Sequence, residues 1–331
     1  MRLLAVTNMY PSEEFPTAGI FVQQQIQGLR SSGLAVDVMI IDRQGAGWRA
    51  YVGMSQSISA RMASSKCDIV HAMYGGVLSQ SVIQAARGIP SVVSICGSDL
   101  LGTIRQWPFG PLRSWVSRTA SIKACKAAGG IVVKSKGLAN ALPPSIKRGK
   151  VHIVPNGIDT ELFCPMDREA CLRELGWASD AFHIVFSTGR YPQVKRLDLA
   201  RESAELTRQL GVPAEFHVMT GVSHEKVPTY LNAGNALLLT SMHEGSPNIV
   251  KEALACNTPI VSVDVGDVAE RIGPIDGCHV VGADPALIAA KLKAVADRGS
   301  RVNSRPGVLD LSLLKVAERL KAIYNSVLEA R

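Results

Sequence analysis

The stretch from His243 to Cys256, HEGSPNIVKEALAC, decides how the chain is interpreted. An apolar run just before it, from Ala236 to Thr240, predicts a buried strand. Ser246 is a good helix N-cap and Pro247 suits the first helical position, so we predict that a helix starts there. Asn257 tolerates the left-handed conformation of a helix end, and the helix should stop near it. The unit is therefore a strand, a short polar loop and a helix.

Two carboxylates flank the start of this predicted helix. Glu244 lies in the loop ahead of it, and Glu252 lies in its second turn. The first turn of a helix presents unpaired N–H groups and the positive end of the helix dipole, which suits a phosphate. Ionised carboxylates accept hydrogen bonds, and sugars offer hydroxyl donors. The arrangement suits a ligand with a sugar on each side of a phosphate, such as a nucleotide-sugar.

The composition is that of a globular protein. The 331 residues are 47% hydrophobic and 19% charged, and this length predicts two domains. Seven cysteines at irregular spacing argue against a metal cluster or a disulfide framework, so we expect reduced thiols. The N-terminal apolar run is too short for a signal peptide, and no run approaches the ~18 residues of a membrane span. We expect a cytoplasmic protein and leave attachment to the inner face of the membrane open.

The formal net charge of +8 has two interpretations. It is either a solvated basic surface or an attraction to anionic ligands, namely nucleotide diphosphates or anionic lipid. Within residues 100–128, Trp107, Phe109 and Trp115 are interleaved with arginines and lysines. That composition suits a bilayer interface, so this segment is a candidate for peripheral membrane contact. A core-packed helix with a solvated basic face is the alternative. No motif favours nucleic acid as a partner.

Strand and helix patterns alternate along both halves of the chain. We predict strands at residues 2–7, 36–41, 69–71, 91–95, 130–133, 151–154, 183–187, 215–219, 236–240 and 259–263. Such alternation with short links predicts α/β architecture with parallel sheets covered by helices on both faces. Ligands of these sheets bind at the carboxyl ends of the strands, so the residues just after the strands are the ones to examine.

One strand end carries glycine and two cations. Gly189 and Arg190 follow the strand at 183–187, and Lys195 comes shortly after. Glycine allows close backbone approach, and two cations there can neutralise a leaving diphosphate without a metal. Arg196 is a spare candidate. The alternative is that these are ordinary surface cations.

Four segments together resemble one family. The segment SMHEGSPNIVKEALACNTPIVSVDVGD, with its Glu-x7-Glu spacing, resembles the signature of the family 4 glycosyltransferases. VPNGIDTELFCP resembles that family's entry into the second domain, and TGRYPQVK resembles its Gly-Arg…Lys element. PTAGIFVQQQIQGLRSSG resembles its N-terminal loop and helix. The resemblance implies the GT-B fold, in which two doubly wound, Rossmann-like parallel-sheet domains face a cleft.

The resemblance also implies a division of labour and a reaction. Residues 1–157 would bind the acceptor, 158–312 would bind the donor, and 313–331 would be a helix that crosses back to the first domain. The reaction would be a retaining transfer from a UDP- or GDP-linked nucleotide-sugar to a saccharide or lipid-linked acceptor, as in polysaccharide biosynthesis. It would need neither a metal nor a cofactor, because the nucleotide-sugar is itself the substrate.

The implied donor site is in the second half of the chain. Arg190 and Lys195 would stabilise the leaving diphosphate, and Glu244 would hold hydroxyls of the donor sugar. Glu252 would bind the ribose. The rest of the donor and nucleotide site would be Gly189, Gly245, Ser246, Pro247, Asn248 and Ile249.

The implied acceptor side consists of Gly19, His71, Cys96 and Asp99. The family often has histidine where Cys96 stands, and a thiol cannot reproduce the hydrogen bonding of an imidazole. Either the enzyme is active, with the leaving phosphate itself taking the acceptor proton, or the chain is a catalytically inert nucleotide-sugar-binding subunit. A GT-B epimerase or phosphorylase is a further alternative, which the pairing of PNGID with SPNIVKEA disfavours.

Overall fold

The computed structural model describes residues 1–15, 17–42, 45, 47–102, 110–189 and 192–330. The chain divides into two compact units. Unit 1 contains Met1–Gly157 and Leu313–Arg331, and unit 2 contains Ile158–Ser312. The second unit is therefore inserted, in sequence, ahead of the last helix of the first.

Unit 1 is built on a six-stranded sheet whose paired strands are all parallel. Its strands are β1 (Arg2–Thr7), β2 (Ala35–Ile40), β3 (Ile69–Ala72), β4 (Ser91–Ile95), β5 (Gly130–Val133) and β6 (Val151–Ile153), in the order β2-β1-β3-β4-β5-β6. The α-helices are α1 (Ile20–Ser31), α2 (Met54–Ser65), α3 (Gly76–Ala85), α4 (Ser98–Leu101), α5 (Gly110–Ala127), α6 (Lys136–Ala141) and, after unit 2, α14 (Leu313–Glu329).

Alternating residues of these strands serve two separate cores. Val93 and Ile95 of β4 lie in the core formed with α2 and α3, whereas Val92 lies in the core formed with α14. Successive side chains of a strand point to opposite faces, so both faces of the sheet are covered. On α14 the apolar stripe that fills the second core includes Leu320 and Tyr324, at helical spacing.

Unit 2 is built on a five-stranded sheet, again with parallel pairing throughout. Its strands are β7 (Phe182–Ser187), β8 (Ala214–Met219), β9 (Ala236–Leu239), β10 (Ile260–Val263) and β11 (His279–Val281), in the order β11-β10-β9-β7-β8. The α-helices are α7 (Arg168–Leu175), α8 (Pro192–Lys195), α9 (Leu197–Gln209), α10 (Val227–Ala233), α11 (Asn248–Ala255), α12 (Val268–Ile272) and α13 (Pro285–Arg298).

The structure confirms the α/β class and the parallel sheets. The predicted strands 2–7, 91–95 and 130–133 match the observed ones residue for residue, and the other predicted strands differ by one residue at one or both ends. Strand β11 was not predicted. Four short 3-10 helices also lie in the described residues, at Gly47–Tyr51, Arg148–Lys150, His224–Lys226 and Arg305–Leu311.

Candidate functional site

Three neighbouring strands of unit 2 end at one edge of the sheet. β10, β9 and β7 are adjacent, and their carboxyl ends lead into Asp264–Asp267, Thr240–Asn248 and Thr188–Gly189. Carboxyl ends of parallel strands meet at the same edge, where ligands of this architecture bind. Most of the predicted donor-site residues therefore lie in loops that converge on this edge.

Lys195 and Glu244 are brought together here. The Lys195 Nζ atom lies 2.5 Å from Glu244 Oε1, and both side chains are largely shielded, with 20% and 17% of their areas exposed. Thr240 holds the backbone on the lysine side, because its hydroxyl donates to the carbonyl oxygens of Lys195 at 2.7 Å and Arg196 at 3.0 Å. The cation and the carboxylate are thus fixed side by side.

The turn that carries Lys195 has unusual backbone geometry. Gly189 has a φ of 52°, and Arg196 has a φ of 53°, in the left-handed region. For a residue other than glycine this conformation is uncommon and costs free energy, and such residues cluster at functional sites. Arg190 lies outside the described residues, so its predicted place beside the diphosphate stays a prediction.

Helix α11 begins one residue later than predicted. Pro247 occupies the N-cap, and Asn248 is the first helical residue. Ser246 does not cap the helix, because its hydroxyl donates to Asp267 Oδ2 at 2.9 Å instead. A hydrogen bond to a carboxylate is stronger than one between a backbone amide and a hydroxyl, so the Ser246 side chain is oriented toward Asp267. At the other end Asn257 has a φ of 57°, which confirms the left-handed residue predicted there.

Asp267 organises the loop ahead of α11. Besides Ser246 it accepts from Arg271 Nε at 2.5 Å, and it is buried. Gly266 packs closely here: a Cβ on it would lie 2.9 Å from the carbonyl oxygen of Gly245. The loop containing Glu244 and Gly245 is therefore held from behind by the segment after β10.

The first turn of α11 has features of a ligand site. Its N-cap residue, Pro247, makes no side-chain capping hydrogen bond, and the first N–H groups of a helix need partners from outside the helix. Asn248 adds a buried side-chain oxygen, Oδ1, that has no hydrogen-bond partner in the described part of the chain. Ile249 follows, half-buried, and Pro247 is buried.

Glu252 pairs with a histidine from another loop. Its Oε1 atom lies 3.3 Å from His224 Nε2, and Glu252 is buried. Burial alone would lower the pKa of His224, but the hydrogen bond to Glu252 and the charge of that carboxylate outweigh burial and raise the pKa. The ring of His224 also makes an edge contact with Phe163. Sequence analysis did not single out His224 as a site residue; its place after the carboxyl end of β8 was the signal that could have done so.

In unit 1, His71 is completely buried and has a partner on each ring nitrogen. Nδ1 lies 2.7 Å from the Tyr324 hydroxyl, and Nε2 lies 2.8 Å from the Ser94 hydroxyl. Burial, with the charge of Lys134 adding to it, lowers the pKa of His71 to about 3, so the ring is neutral. These contacts favour the structural role that a lone histidine most often has, and an acceptor contact by His71 stays a prediction.

Asp99 is the centre of the turn after β4. Its carboxylate accepts from the backbone N–H groups of Gly75 at 2.9 Å, Cys96 at 3.0 Å and Gly97 at 2.7 Å. Burial raises the pKa of Asp99, and these three hydrogen bonds oppose that rise. The observed contacts of this carboxylate hold the loop, and its acceptor role stays a prediction.

Cys96 contributes a protonated thiol to the same turn. Burial, with the charge of Asp99 adding to it, raises the pKa of Cys96 to about 12, and Sγ lies 3.6 Å from the carbonyl oxygen of Met73. Lys134, which sequence reasoning passed over, is buried nearby, just past the end of β5, with Nζ 3.5 Å from Gln25 Oε1. The protonated thiol of Cys96 cannot act as a base at neutral pH.

Gly19 is required by close packing. It has a φ of 71° at the N-cap of α1, and a Cβ there would lie 2.4 Å from the carbonyl carbon of Met9. The glycine lets the loop after β1 pass directly over the start of the helix. Substrate contact at Gly19 stays a prediction.

Two family models match the chain in succession. The model of "Glycosyltransferase Family 4" matches residues 19–162, and that of "Glycosyl transferases group 1" matches residues 176–298. The chain is 28% identical over 221 residues to D-inositol 3-phosphate glycosyltransferase 1 of Catenulispora acidiphila, which covers 54% of this chain and 52% of the relative. It is 26% identical over 325 residues to alpha-maltose-1-phosphate synthase of Mycolicibacterium smegmatis, with 82% of each chain covered. The match thus spans about half the length of the first relative and most of the second.

Solved structures share the fold across the whole chain. Sucrose-phosphate synthase from Thermosynechococcus elongatus has a TM-score of 0.82 at 16% identity, with 100% of each chain covered. Anabaena HepE in complex with UDP has a TM-score of 0.70 at 13% identity, with 98% of this chain and 100% of that one covered. With its two parallel-sheet units, the chain has the GT-B fold. It belongs to the family 4 glycosyltransferases.

Within the described residues, no helix has the length and apolarity needed to cross a membrane.

Proposed function

We propose that this chain transfers a glycosyl group from a nucleotide-sugar to a hydroxyl of a saccharide or lipid-linked acceptor, with retention of configuration and without a metal at the reacting centre. The observation that carries the proposal is the Lys195–Glu244 pair beside the uncapped first turn of α11. A nucleotide-sugar needs both a cationic place for its diphosphate and carboxylates for its hydroxyls. Family membership supports the same reaction class.

The diphosphate would bind between Lys195 and the start of α11. The ammonium group and the N–H groups at the start of the helix both provide positive charge for the diphosphate. The negative charge on the leaving diphosphate grows as the bond to the sugar breaks, so this positive charge would stabilise the transition state. Arg190 would add a second cation. In the free protein Glu244 neutralises Lys195, so a bound diphosphate would take over part of the lysine and leave Glu244 to accept from sugar hydroxyls.

The ribose would bind at Glu252. This carboxylate lies in the second turn of the same helix, and its Oε1 atom lies beside His224 from the segment that follows β8. The solved HepE complexes contain UDP and UDP-glucose, which supports a UDP-linked donor here, with a GDP-linked donor as the other option.

The acceptor proton would go to the leaving phosphate. In the step, the acceptor oxygen forms a bond to the anomeric carbon, the bond from that carbon to the phosphate oxygen breaks, and the acceptor proton passes to that phosphate oxygen. The thiol of Cys96 stays protonated and the carboxylate of Asp99 is held by three backbone amides, which supports a mechanism that uses neither of them as a base.

In this proposal residues 158–312 bind the donor and residues 1–157 bind the acceptor. The final helix, within 313–331, completes the core of unit 1, where Tyr324 bonds His71. This contact supports the assignment of that helix to the acceptor domain.

The exposed face of α5 would bring the acceptor domain to an anionic bilayer. Leu112, Trp115 and Val116 are 58%, 64% and 41% exposed, and they lie within one and a half turns of the helix. Arg113, Arg118 and Lys123 are also exposed on α5. Apolar side chains with basic neighbours suit the headgroup region of a membrane, where a lipid-linked acceptor would be found. Residues 103–109, including Trp107 and Phe109, lie outside the described residues.

The experiment is a transfer assay with UDP- and GDP-linked sugars and a panel of saccharide and lipid-linked acceptors, in the presence of a metal chelator. We expect nucleoside diphosphate release that depends on the acceptor, and a product whose anomeric configuration matches that of the donor by NMR. Release with no acceptor, or a product of inverted configuration, would contradict the proposal.

A further inference from the structure

Three side chains that commonly ligate metal ions meet at the opposite end of the strands from the donor site. His183 is the second residue of β7, and Glu215 is the second residue of β8. The register pairs these two residues, and His217 lies two positions further along β8, on the same face as Glu215. The candidate donor site lies at the carboxyl ends of the strands, so this cluster is separate from it.

The three ligand atoms form a compact triangle with two nearly equal sides. His183 Nδ1 lies 2.9 Å from His217 Nε2, and Glu215 Oε2 lies 3.6 Å from the first nitrogen and 3.5 Å from the second. In a tetrahedral zinc site with bonds of about 2.0–2.1 Å, two ligand atoms lie about 3.3 Å apart. The circle through the three atoms has a radius of about 1.9 Å, so one ion just above their plane reaches all three at zinc distances.

The protein sets the orientation of His183 through its other ring nitrogen. Nε2 lies 2.7 Å from the carbonyl oxygen of Ala178, which can only accept, so this nitrogen carries the proton. In the neutral ring the lone pair is then on Nδ1, which faces the other two ligand atoms. A ligand histidine whose second nitrogen donates to a carbonyl is the usual arrangement in protein metal sites.

Trp177 holds the second ring. Its indole stacks on His217, with centroids 3.5 Å apart and planes 13° apart, and it also packs against His183 at 4.9 Å. With the proton of His183 on Nε2, its Nδ1 can only accept, so His217 Nε2 donates the 2.9 Å hydrogen bond between the two rings. Coordination through Nε2 needs its proton to move to Nδ1, and the open side of the cluster gives water access for that exchange.

We propose that His183, Glu215 and His217 bind one divalent transition-metal ion of the zinc class, with water as the fourth ligand. Imidazole nitrogens and one carboxylate are a ligand set that suits Zn²⁺, whereas Mg²⁺ and Ca²⁺ prefer oxygen ligands. Glu215, 47% exposed, supplies a negative charge and leaves the fourth position open to solvent.

The ion would stabilise the pairing of an edge strand with its neighbour. β8 is an edge strand of the sheet and, in the described part of the chain, pairs with β7 alone, and the proposed ligands come from both of these strands. An ion that binds the folded state and not the unfolded one stabilises the fold in proportion to the logarithm of its concentration over its dissociation constant. The proposal is independent of the reaction at the opposite end of the sheet and gives the metal no part in transfer.

The test uses the full chain, freed of metal by a chelator and then dialysed. Zn²⁺ is titrated by calorimetry, and Co²⁺ is titrated while its visible absorption is recorded. We expect one ion per chain, intense bands of tetrahedral Co²⁺ without thiolate charge transfer, and a melting temperature that rises with Zn²⁺. His217→Gln and, as a second and more exposed site, Glu215→Gln should each weaken binding on the order of 100-fold.

The matched control is His279→Gln, which removes a half-buried histidine of the same unit outside the cluster. It should bind Zn²⁺ as the unaltered chain does. Unaltered affinity in both Glu215→Gln and His217→Gln, thiolate bands from the seven cysteines, or no binding to the unaltered chain would each overturn the proposal.

Discussion

The Lys195 ammonium lies 2.5 Å from the Glu244 carboxylate, although 49 positions separate the two residues in sequence. Lys195 ends the short helix α8 after β7, and Glu244 lies in the loop after β9; the two strands are neighbours in the sheet of unit 2. The relationship joins the two elements that sequence analysis had treated separately, the cations after one strand and the two glutamates around α11.

Replacing Lys195 should lower turnover. In Lys195→Ala the leaving diphosphate loses a preorganised cation, and we expect kcat to fall by about 100- to 1,000-fold. Steady-state kinetics with the best donor measure this. Lys293→Ala, which removes an exposed lysine paired with Asp297 in the same unit, is the control and should leave kcat unchanged. Equal kinetics in both variants would refute the role of Lys195. Arg190→Ala should lower kcat through the same loss of charge.

Replacing Glu252 by its amide should weaken nucleotide binding. Glu252→Gln keeps the shape of the side chain but removes the charge that strengthens its hydrogen bonds from ribose hydroxyls. A hydrogen bond to a charged group contributes about 1.5–3 kcal/mol. We expect a dissociation constant for the cognate nucleoside diphosphate that is about 10- to 100-fold higher, measured by calorimetry. Glu202→Gln, an exposed glutamate on α9, should bind as the unaltered chain does. Equal weakening in both variants would show that general charge, not this site, is responsible.

The His224–Glu252 pair should make stability depend on pH. The folded-state pKa of His224 is raised above its ordinary value of 6.5, because the hydrogen bond and the charge of Glu252 outweigh the effect of burial. A raised pKa means that the stabilisation is fully present below pH 6.5 and is lost as the pH rises through the folded-state value. The free energy of unfolding of the unaltered chain minus that of His224→Gln should therefore shrink with rising pH. A difference that grows toward high pH would contradict this.

Removing the Cys96 thiol should leave catalysis nearly intact. The thiol is protonated, with a pKa of about 12, and the turn is held by Asp99 rather than by Cys96. Cys96→Ala should change kcat by less than about threefold, since no proton transfer is lost. A fall of 100-fold or more would mean that the thiol takes part. If the unaltered chain binds the donor but transfers no sugar, the result would favour the alternative of a catalytically inert nucleotide-sugar-binding subunit.

The α5 surface should bind anionic vesicles. Sedimentation with phosphatidylglycerol vesicles at low salt should pellet the protein, whereas phosphatidylcholine vesicles should not. Burying an exposed large apolar side chain is worth about 2 kcal/mol, so the double variant Leu112→Ser, Trp115→Ser should lose most of the binding. Leu287→Ser removes a leucine that is 55% exposed on unit 2 and serves as the control. Binding that survives the double variant would place the contact elsewhere.

Local chemistry explains which elements could be predicted. The bounds of α7, Arg168–Leu175, follow from signals that are adjacent in sequence: Asp167 caps the start, and Gly176 takes the left-handed conformation at the end. The predicted start of α11 was wrong by one residue, because the Ser246 hydroxyl donates to Asp267, which is 21 residues away in sequence. No local pattern reports such a contact.

The candidate donor site was likewise predictable only where its signals are local in sequence. The residue types after the strands indicated an anion-binding edge, and the loops do converge there. The partners of those residues depend on strand order and register, which the sequence does not state. The pairing of Glu252 with His224, the burial of His71 against Tyr324 and the meeting of His183 with Glu215 and His217 all depend on that information.

The central claim is that unit 2 binds the donor nucleotide at Lys195, Glu244 and Glu252. The most direct measurement is thermal unfolding of the chain with UDP, GDP or ADP, with NAD as the control. A ligand at a hundred times its dissociation constant adds about 2.7 kcal/mol of stability, which raises the melting temperature clearly. We predict a rise with UDP or GDP, none with NAD, and a strongly reduced rise in Glu252→Gln. No rise with any nucleoside diphosphate, or an equal rise in Glu252→Gln, would contradict the claim.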